Sequence, residues 1–419
     1  MVDQKQINFL QRKTVRVLTA GQVLSGFALG STLSIGSLLA SDLSGNPAWA
    51  GAAATFSTLG AASWAIPLAK LANAKGRRVA LGLGAGIAIS GAVMVILSAA
   101  IGFFPLLLIA LVMLGAGSAT GLQARFAAVD LSGSSSRSTG RDLSTVVWAT
   151  TVGAVIGPNL FGPGEVLGRW LGLPEMTGPF LFTILAQILA TTVFWFGLRP
   201  DPLLIAKEID AAKGGTKAKT SFAAARESLR KYPVAAFALI SIALSHMVMV
   251  SVMAMTPLHL DHMGYDLVVV GFTISLHIAG MYAFAPIFGL LSDRFGKVQT
   301  VLLGQVIYLA ALAIAGFGSH DRMMVTIGLL LLGLGWSAST VAGSALLSET
   351  LPASEKTNVQ GLSDTTMNLA GAFGGAVSGS VMAAVAFSGL NAAALIPVAA
   401  VVILSAVAQL RAPKKNPSR

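Results

Sequence analysis

The chain has 419 residues, of which 54% are hydrophobic and only 11% are charged, whereas about 25% of residues are charged in an ordinary soluble domain. The charged residues are grouped between apolar runs, each long enough to cross a bilayer, which takes about 20 residues. This pattern indicates an all-α integral membrane protein and excludes a soluble enzyme, a secreted disulfide scaffold and a nucleic-acid binder. The absence of cysteine excludes disulfides and thiolate metal sites.

The apolar runs predict twelve membrane spans. The first is not a cleavable signal, because the apolar stretch that follows the basic N-terminus is too long for one. An even number of spans places both termini on the same side of the membrane. The predicted spans are 17–41, 48–69, 79–101, 104–128, 143–164, 178–198, 234–258, 267–291, 298–318, 323–347, 359–386 and 390–410.

The basic residues orient these spans. The net charge is +11, and 26 of the 28 Lys and Arg residues lie on the side of the termini, leaving Arg169 and Arg322 opposite. Because an excess of Lys and Arg marks cytoplasmic loops, we expect both termini to be cytoplasmic in a bacterial inner membrane. The predicted domains are an N-terminal six-helix bundle at 1–198, a cytoplasmic linker loop at 199–233, parts of which form helices on the membrane surface, and a C-terminal six-helix bundle at 234–419.

One loop motif occurs in both halves of the chain. Residues 289–297 follow the eighth span with the sequence GLLSDRFGK, and residues 69–78 follow the second span with AKLANAKGRR. The copy at 289–297 resembles the signature loop of the major facilitator superfamily. In the copy at 69–78, Ala69, Asn73 and Ala74 replace the Gly, Asp and Arg of the motif. This puts in doubt the charged contact that the family forms at that loop. The resemblance implies two six-helix bundles that rock to give alternating access.

Few ionisable residues are placed to couple or gate transport. Arg125 and Asp130 lie at the cytoplasmic end of the fourth span, and Asp364 lies early in the eleventh. An acid inside a span is a functional candidate by default, although structural pairing near the cytoplasmic surface is the alternative for all three. Asp293 and Arg294 of the intact loop motif complete the set of candidate gating residues.

Methionine and histidine are concentrated around the seventh and eighth spans. Four of the 14 methionines fall within nine residues of the seventh span, and four of the five histidines lie in 245–282. Met249 and Met253 are four residues apart, so both thioethers project from one helix face. His277 and Met281 repeat that spacing on the eighth span.

These two pairs are predicted to face each other near the middle of the membrane. The two spans run in opposite directions, and Met249 and His277 lie about 13 and 15 Å from the same membrane surface at helical rise. Three thioethers and one imidazole are soft, neutral ligands that suit Cu(I) and discriminate against Mg, Ca and Mn. Helix packing is the alternative, since methionine is a flexible core filler.

Four further residues are candidates for additional metal binding or gating. His246 lies three residues before Met249, on roughly the same face, and a hydrogen-bonded structural histidine is an equal alternative. His259, His262 and Met263 lie at the periplasmic end of the seventh span, where they are placed to gather metal. An ordinary solvated loop is the alternative for these three.

The order of the Met-x-x-x-Met and His-x-x-x-Met motifs on these spans resembles the CcoA-like copper importers of the major facilitator superfamily. The resemblance implies import of copper from periplasm to cytoplasm for cytochrome oxidase assembly, with Met249, Met253, His277 and Met281 as metal ligands. It makes copper the transported substrate, with no cofactor. The expected partners are the copper ion, the lipid bilayer and a cytoplasmic copper chaperone, with no nucleic acid, and the expected state is a monomer.

Two rival functions stay open. The first is transport of a small organic molecule, since relatives of that family carry compounds such as riboflavin. A proton-coupled drug exporter belongs to this rival, because Gly153, Gly157 and Pro158 resemble a pattern common in drug antiporters, although helix packing alone explains these residues. A cavity lined by tryptophans such as Trp64 or Trp336 would serve such a cargo. The second rival is a copper sensor or assembly factor that does not transport. No enzyme site is recognisable.

Overall fold

The protein is all-α in the computed structural model, which describes residues 4–45, 49, 52–132, 138–159, 161–212, 222–265 and 267–411. Residues 213–221 of the predicted linker, together with Arg137 and the tail after 411, lie outside the described residues. The helices are α1 (Gln4–Ser44), α2 (Ala52–Lys75), α3 (Arg77–Ile101), α4 (Phe104–Ala127), α5 (Thr139–Asn159), α6 (Phe161–Trp170), α7 (Pro179–Gly197), α8 (Pro202–Ala212), α9 (Phe222–Lys231), α10 (Pro233–His262), α11 (Leu267–Tyr282), α12 (Ala285–Phe295), α13 (Lys297–Phe317), α14 (Arg322–Thr350), α15 (Ala353–Ala393) and α16 (Leu395–Arg411).

Helix lies at each of the twelve predicted spans, and the differences are at their ends. The first helix begins well before the predicted span, because the N-terminal residues are amphipathic and bury Ile7, Gln11 and Val15 against the bundle. The eighth predicted span is divided between α11 and α12, whose first turn carries a proline. The fifth is likewise divided between α5 and α6.

Eight helical segments in the described part of the chain are long and apolar enough to cross a membrane on their own. The eight segments are Arg77–Ile101, Phe104–Ala127, Pro179–Ala212, Pro233–Leu260, Val269–Phe295, Lys297–Phe317, Arg322–Thr350 and Ala353–Ala406.

The helices pack as two bundles, one built from α1–α7 and the other from α10–α16. We call the side where α1 begins and α7 ends the terminal face, and the other side the opposite face. The short helices α8 and α9 lie at the terminal face between the bundles. The bundles meet along two seams, where α2 packs against α15 and where α5 packs against α11, α12 and α14.

The bundles are closed together at the terminal face. In the terminal half, one apolar cluster joins residues of both bundles, such as Val146 of α5 and Val341 of α14. In the opposite half, the cluster around Phe180 contains only N-terminal-bundle residues, and the cluster around Leu329 contains only C-terminal-bundle residues.

Glycines let neighbouring helices approach closely within each bundle. A Cβ atom added at Gly115 of α4 would lie 2.5 Å from the backbone nitrogen of Ala61 in α2. Likewise, a Cβ atom at Gly153 of α5 would lie 2.7 Å from the Cα atom of Gly26 in α1. Packing therefore accounts for Gly153 of the sequence pattern, whereas the side-chain surroundings of Gly157 and Pro158 lie outside the described residues.

We predict that Gly115→Ala destabilises the protein, because the new methyl group meets the α2 backbone, which cannot move aside without separating two helices. Overpacking of this kind costs about 1–3 kcal/mol. Thermal unfolding in detergent measures the loss. Gly86→Ala is the matched control, since a Cβ atom there meets nothing within 4 Å, and an equal loss of melting temperature in both variants would contradict the prediction.

Candidate functional site

His277 is fully buried in α11, and only one of its ring nitrogens has a partner. Nδ1 lies 2.8 Å from the carbonyl oxygen of Leu329 in α14. Because a carbonyl oxygen only accepts, the proton of the neutral imidazole must be on Nδ1. Nε2 is therefore a bare lone pair, and it is buried without a hydrogen-bond partner in the described structure. A nitrogen oriented in this way is the form in which histidine binds a metal.

The methionines of the predicted site lie in one apolar cluster. Met249 of α10 and Met281 of α11 are both buried in it, and Met253 packs against it partly buried. Helices α10 and α11 both pack extensively on α14 and make only a small direct contact. Gly280 and Gly333 let α11 and α14 approach closely, because a Cβ atom at Gly333 would lie 2.4 Å from the His277 carbonyl oxygen.

Hard metal ligands do not assemble anywhere in the described part of the chain. No group of three or more His, Asp or Glu side chains comes close enough to hold an ion there.

His246 has the opposite arrangement of its ring protons. The indole Nε1 of Trp336 lies 2.9 Å from His246 Nδ1. Because an indole N–H only donates, Nδ1 must accept and the proton of the neutral ring is on Nε2. In this state His246 presents a hydrogen-bond donor and not a lone pair. The geometry thus favours hydrogen bonding over the predicted role of His246 as an additional metal ligand.

The indole that contacts this histidine belongs to an aromatic pair. Trp336 is 2% exposed, and its ring packs edge-on against Tyr282 of α11 with centroids 5.5 Å apart. Trp64 is partly buried, and its indole nitrogen has no partner in the described structure. The sequence showed Trp336 within a predicted span, but it did not show that Trp336 contacts His246.

At the opposite-face end of α10, His259 contacts other segments of the C-terminal bundle. His259 Nε2 donates to the carbonyl oxygen of Ser319 at 2.7 Å, and its ring stacks on Phe387 with centroids 4.1 Å apart. His262 is exposed and Met263 is partly buried. In the described structure these residues form no group of metal ligands.

Two buried Arg–Asp pairs lie toward the terminal face. Arg77 Nε lies 2.8 Å from Asp130 Oδ2, and Arg77 Nη2 also donates to Gln360 of α15 at 2.6 Å. Arg125 Nη2 of α4 lies 2.5 Å from Asp364 Oδ1 of α15, so this ion pair joins the two bundles. All four charged side chains are at most 2% exposed. Sequence reasoning identified three of them but missed Arg77, which was visible only as one basic residue of the altered loop motif.

The intact loop motif closes one seam between the bundles. Asp293 Oδ1 accepts from the backbone N–H of Gly140 at 3.1 Å, and Oδ2 accepts from that of Arg141 at 3.0 Å and from the hydroxyl of Ser138. These groups lie at the N-terminus of α5, where a negative charge is favoured. Gly289 permits the contact, because a Cβ atom there would lie 2.6 Å from the Gly140 carbonyl oxygen.

The neighbouring Arg294 does not take part in this contact. Its guanidinium lies over the ring of Phe295, 5.4 Å from the centroid, and forms no ion pair in the described part of the chain. Lys297 lies 3.0 Å from Glu349 and 3.8 Å from Asp293 instead.

In the altered copy of the motif, the residue at the position of Asp293 makes a neutral contact across the seam. Asn73 Nδ2 reaches Asn358 Oδ1 of α15 at 3.5 Å, a weak neutral contact. The amine of Lys207 in α8 binds Asn73, and Asp201 accepts from the backbone N–H of Arg78 at 2.8 Å. Burial lowers the pKa of the Lys207 amine. Burial also raises the pKa of the Asp201 carboxyl, and the backbone donors partly offset this effect. Two charged residues therefore hold this loop in place: Asp201, directly before α8, and Lys207 within it.

Comparisons with known proteins identify the fold and the relatives of the chain. The family model described as Major Facilitator Superfamily matches residues 18–283 and 264–419. The uncharacterised MFS-type transporter YdeG of Bacillus subtilis (strain 168) is 36% identical over 383 residues, which cover 91% of this chain and 88% of the relative. The riboflavin transporter RfnT of Brucella anthropi is 28% identical, with 85% of each chain covered. A solved structure of the proton:xylose symporter XylE superposes with a TM-score of 0.71 at 14% identity, covering 96% of each chain.

We predict that the two loop copies contribute unequally to closure of the terminal face. Asp293→Ala removes hydrogen bonds to a carboxylate, worth about 1.5–3 kcal/mol each, and should open the α5–α12 seam about tenfold more often. Asn73→Ala should have a smaller effect. Since the chain lacks cysteine, Ser144→Cys, which is buried in this seam, reports opening through its maleimide labelling rate. Equal rates in the two variants would contradict the inequality.

We also predict opposite tautomers for the two buried histidines. ¹⁵N-histidine NMR of the purified protein should show a protonated Nδ1 for His277 and a protonated Nε2 for His246, assigned by His→Gln variants. Trp336→Phe removes the indole donor and should shift only the His246 signals. A His277 signal that is protonated at Nε2 would contradict the assignment on which its lone pair depends.

Proposed function

Because this chain belongs to the major facilitator superfamily, it is a multi-pass membrane transporter and not an enzyme, and we propose that its cargo is copper. In this proposal Met249, Met253, His277 and Met281 hold the ion during import. The protein lies in a bacterial inner membrane with both termini in the cytoplasm. It works as a monomer and passes the ion to a cytoplasmic copper chaperone, which supplies cytochrome oxidase assembly.

The observation that carries this proposal is the free Nε2 of His277. A buried polar atom without a partner is costly in a membrane protein, and Nε2 has none in the described structure. Hydrogen bonding of Nδ1 to Leu329 holds the ring with its lone pair free. Met281 lies one helical turn away on the same face, and Met249 belongs to the same buried cluster.

The chemistry of this set favours a soft, singly charged ion. Thioether and imidazole ligands are neutral, so the bound ion keeps its full charge in a low-dielectric site. The cost of burying an ion rises with its charge, which favours Cu(I) over Cu(II). With the terminal face cytoplasmic, import moves the ion from the periplasm to the cytoplasm. The membrane potential, negative inside, then drives entry by about 2.3 kcal/mol per 100 mV.

A flavin-like organic cargo is the second candidate. The riboflavin transporter RfnT is 28% identical over most of the chain. Trp336 and Tyr282 offer aromatic faces at the centre of the protein, and His246 adds a hydrogen-bond donor. These groups suit a planar ligand rich in acceptor atoms, and such a cargo would use the methionines only as apolar lining. A proton-coupled exporter of organic compounds would use the same groups.

Uptake of radioactive copper into cells that lack their own importer tests the proposal. We predict that the wild type restores uptake and that Met249→Leu and Met281→Leu, which keep the side-chain volume, lower it about tenfold or more, as loss of metal-site residues commonly does. Met255→Leu is the matched control. It lies on the same helix but next to Gly379 of α15, and we expect it to transport normally.

The contradicting outcomes are specific. Copper uptake that is equal in all four proteins would assign the methionines to packing. If riboflavin uptake then depends on Trp336 and not on Met249, the second candidate replaces the first. Copper binding without flux into liposomes would indicate a sensor or assembly factor and contradict transport of copper.

A further inference from the structure

Two buried Arg–Asp pairs that look alike in sequence differ in how they join the bundles. Arg77 and Asp130 belong to the same bundle, since α3 begins at Arg77 and Asp130 follows the end of α4. In the other pair, Arg125 lies on α4 and Asp364 lies on α15 of the other bundle. The second pair is therefore an ionic contact between two bodies that move relative to each other.

Alternating access treats these pairs differently. When the terminal face opens, the bundles rock apart as largely rigid bodies. The Arg77–Asp130 pair moves as one unit and stays formed, whereas Arg125 and Asp364 must separate. Packing around the second pair is close, because a Cβ atom at Gly361 of α15 would lie 2.4 Å from the Cβ atom of Ala69. Separation therefore begins with both charges still enclosed, and leaving a buried charge without its partner is strongly unfavourable.

A proton on Asp364 lowers this cost. The carboxyl is 0% exposed, and only Oδ1 is bound to Arg125, whereas Oδ2 has no hydrogen-bond partner in the described structure. Protonation removes the attraction that holds the bundles together. Arg125 keeps its charge, with the ring of Phe126 4.7 Å away and the thioether of Met367 at 4.0 Å from Nη2.

We propose that Asp364 carries a proton through the transport cycle. With the terminal face closed, Asp364 is ionised and paired with Arg125. A proton from the solution at the opposite face binds the carboxylate and breaks the pair, and the terminal face opens. The proton then leaves to the solution at the terminal face, and the ionised carboxylate pairs with Arg125 again as the bundles close. One proton thus moves in the same direction as the cargo, whichever cargo the protein carries.

The other titratable groups near Asp364 are distributed so that Arg125 is its only direct partner. From α3, Arg77 acts on it through space. Helix α10 presents His246, whose ring lies against Gly371 of α15. The α2 surface that touches α15 here is Ala62, Ala65 and Ala69.

Further titratable groups lie at the start of α15. Lys356 has Glu349 of α14 and Asp210 of α8 in electrostatic range. Glu355 contacts Ser228 and Lys231 of α9. From α13, Tyr308 bonds the carbonyl of Ser245 in α10.

Spin labels at the terminal face test the proposal without any cargo. Because the chain has no cysteine, Ala74→Cys and Ser354→Cys place one label on each bundle, and double electron–electron resonance in nanodiscs measures their separation. We expect the ratio of open to closed protein to rise as the pH falls from 8 to 5, by up to about tenfold per pH unit for a single proton. Asp364→Asn should be mostly open at both pH values.

Two further variants keep the test decisive. Asp364→Glu preserves a titratable carboxyl and should keep the pH response. Asp130→Asn alters the pair within one bundle and should also keep it, since that pair does not separate on opening. A wild-type ratio that does not change with pH, or a response that persists in Asp364→Asn, would overturn the proposal. Neither outcome bears on copper, so this inference and the copper proposal fail separately.

Discussion

The central constraint on this protein is that charges enclosed among its helices must be neutralised by the protein itself. Arg77, Asp130, Arg125 and Asp364 satisfy it in two pairs, both toward the terminal face. Both pairs take part in closing that face, because Asp364 and Gln360, the amide partner of Arg77, belong to the other bundle. Only the Arg125–Asp364 ion pair itself joins the two bundles. The loop motifs and the linker helices add polar contacts around the same seams. No comparable set of polar contacts joins the bundles at the opposite face among the described residues.

Close helix contact makes these ionic contacts possible. Gly289 brings α12 within reach of the α5 N-terminus, so that Asp293 can accept from its backbone N–H groups. At the second seam the small residue is on the other helix, where Gly361 of α15 accommodates Ala69. The two halves of the chain thus reach a similar closure by different means. One uses a carboxylate at a helix N-terminus, and the other uses Arg77 with an amide partner, Gln360.

In the candidate cargo region, hydrogen-bond partners within the protein likewise determine which ring nitrogen of each buried histidine carries the proton. Two histidines are packed near α14, and each has one ring nitrogen bound to a group that can only donate or only accept. Leu329 thereby leaves His277 with a lone pair, and Trp336 leaves His246 with an N–H group. A metal requires the first form and an organic acceptor requires the second. The two proposed cargoes would therefore use different histidines.

The sequence alone determined that this is a twelve-span, two-bundle transporter, because burial in lipid requires long apolar segments and the loop motif at residues 289–297 is specific to its family. It also predicted, from helical spacing, a site formed by Met249, Met253, His277 and Met281. Which tautomer each histidine adopts was decided by Leu329 and Trp336, which lie far along the chain. Likewise, Asp130 and Asp364 are equivalent as sequence, and only the tertiary structure assigns one to a pair within a bundle and the other to a pair between bundles. Spacing specifies which residues share a helix face, but partners on other helices are set by packing.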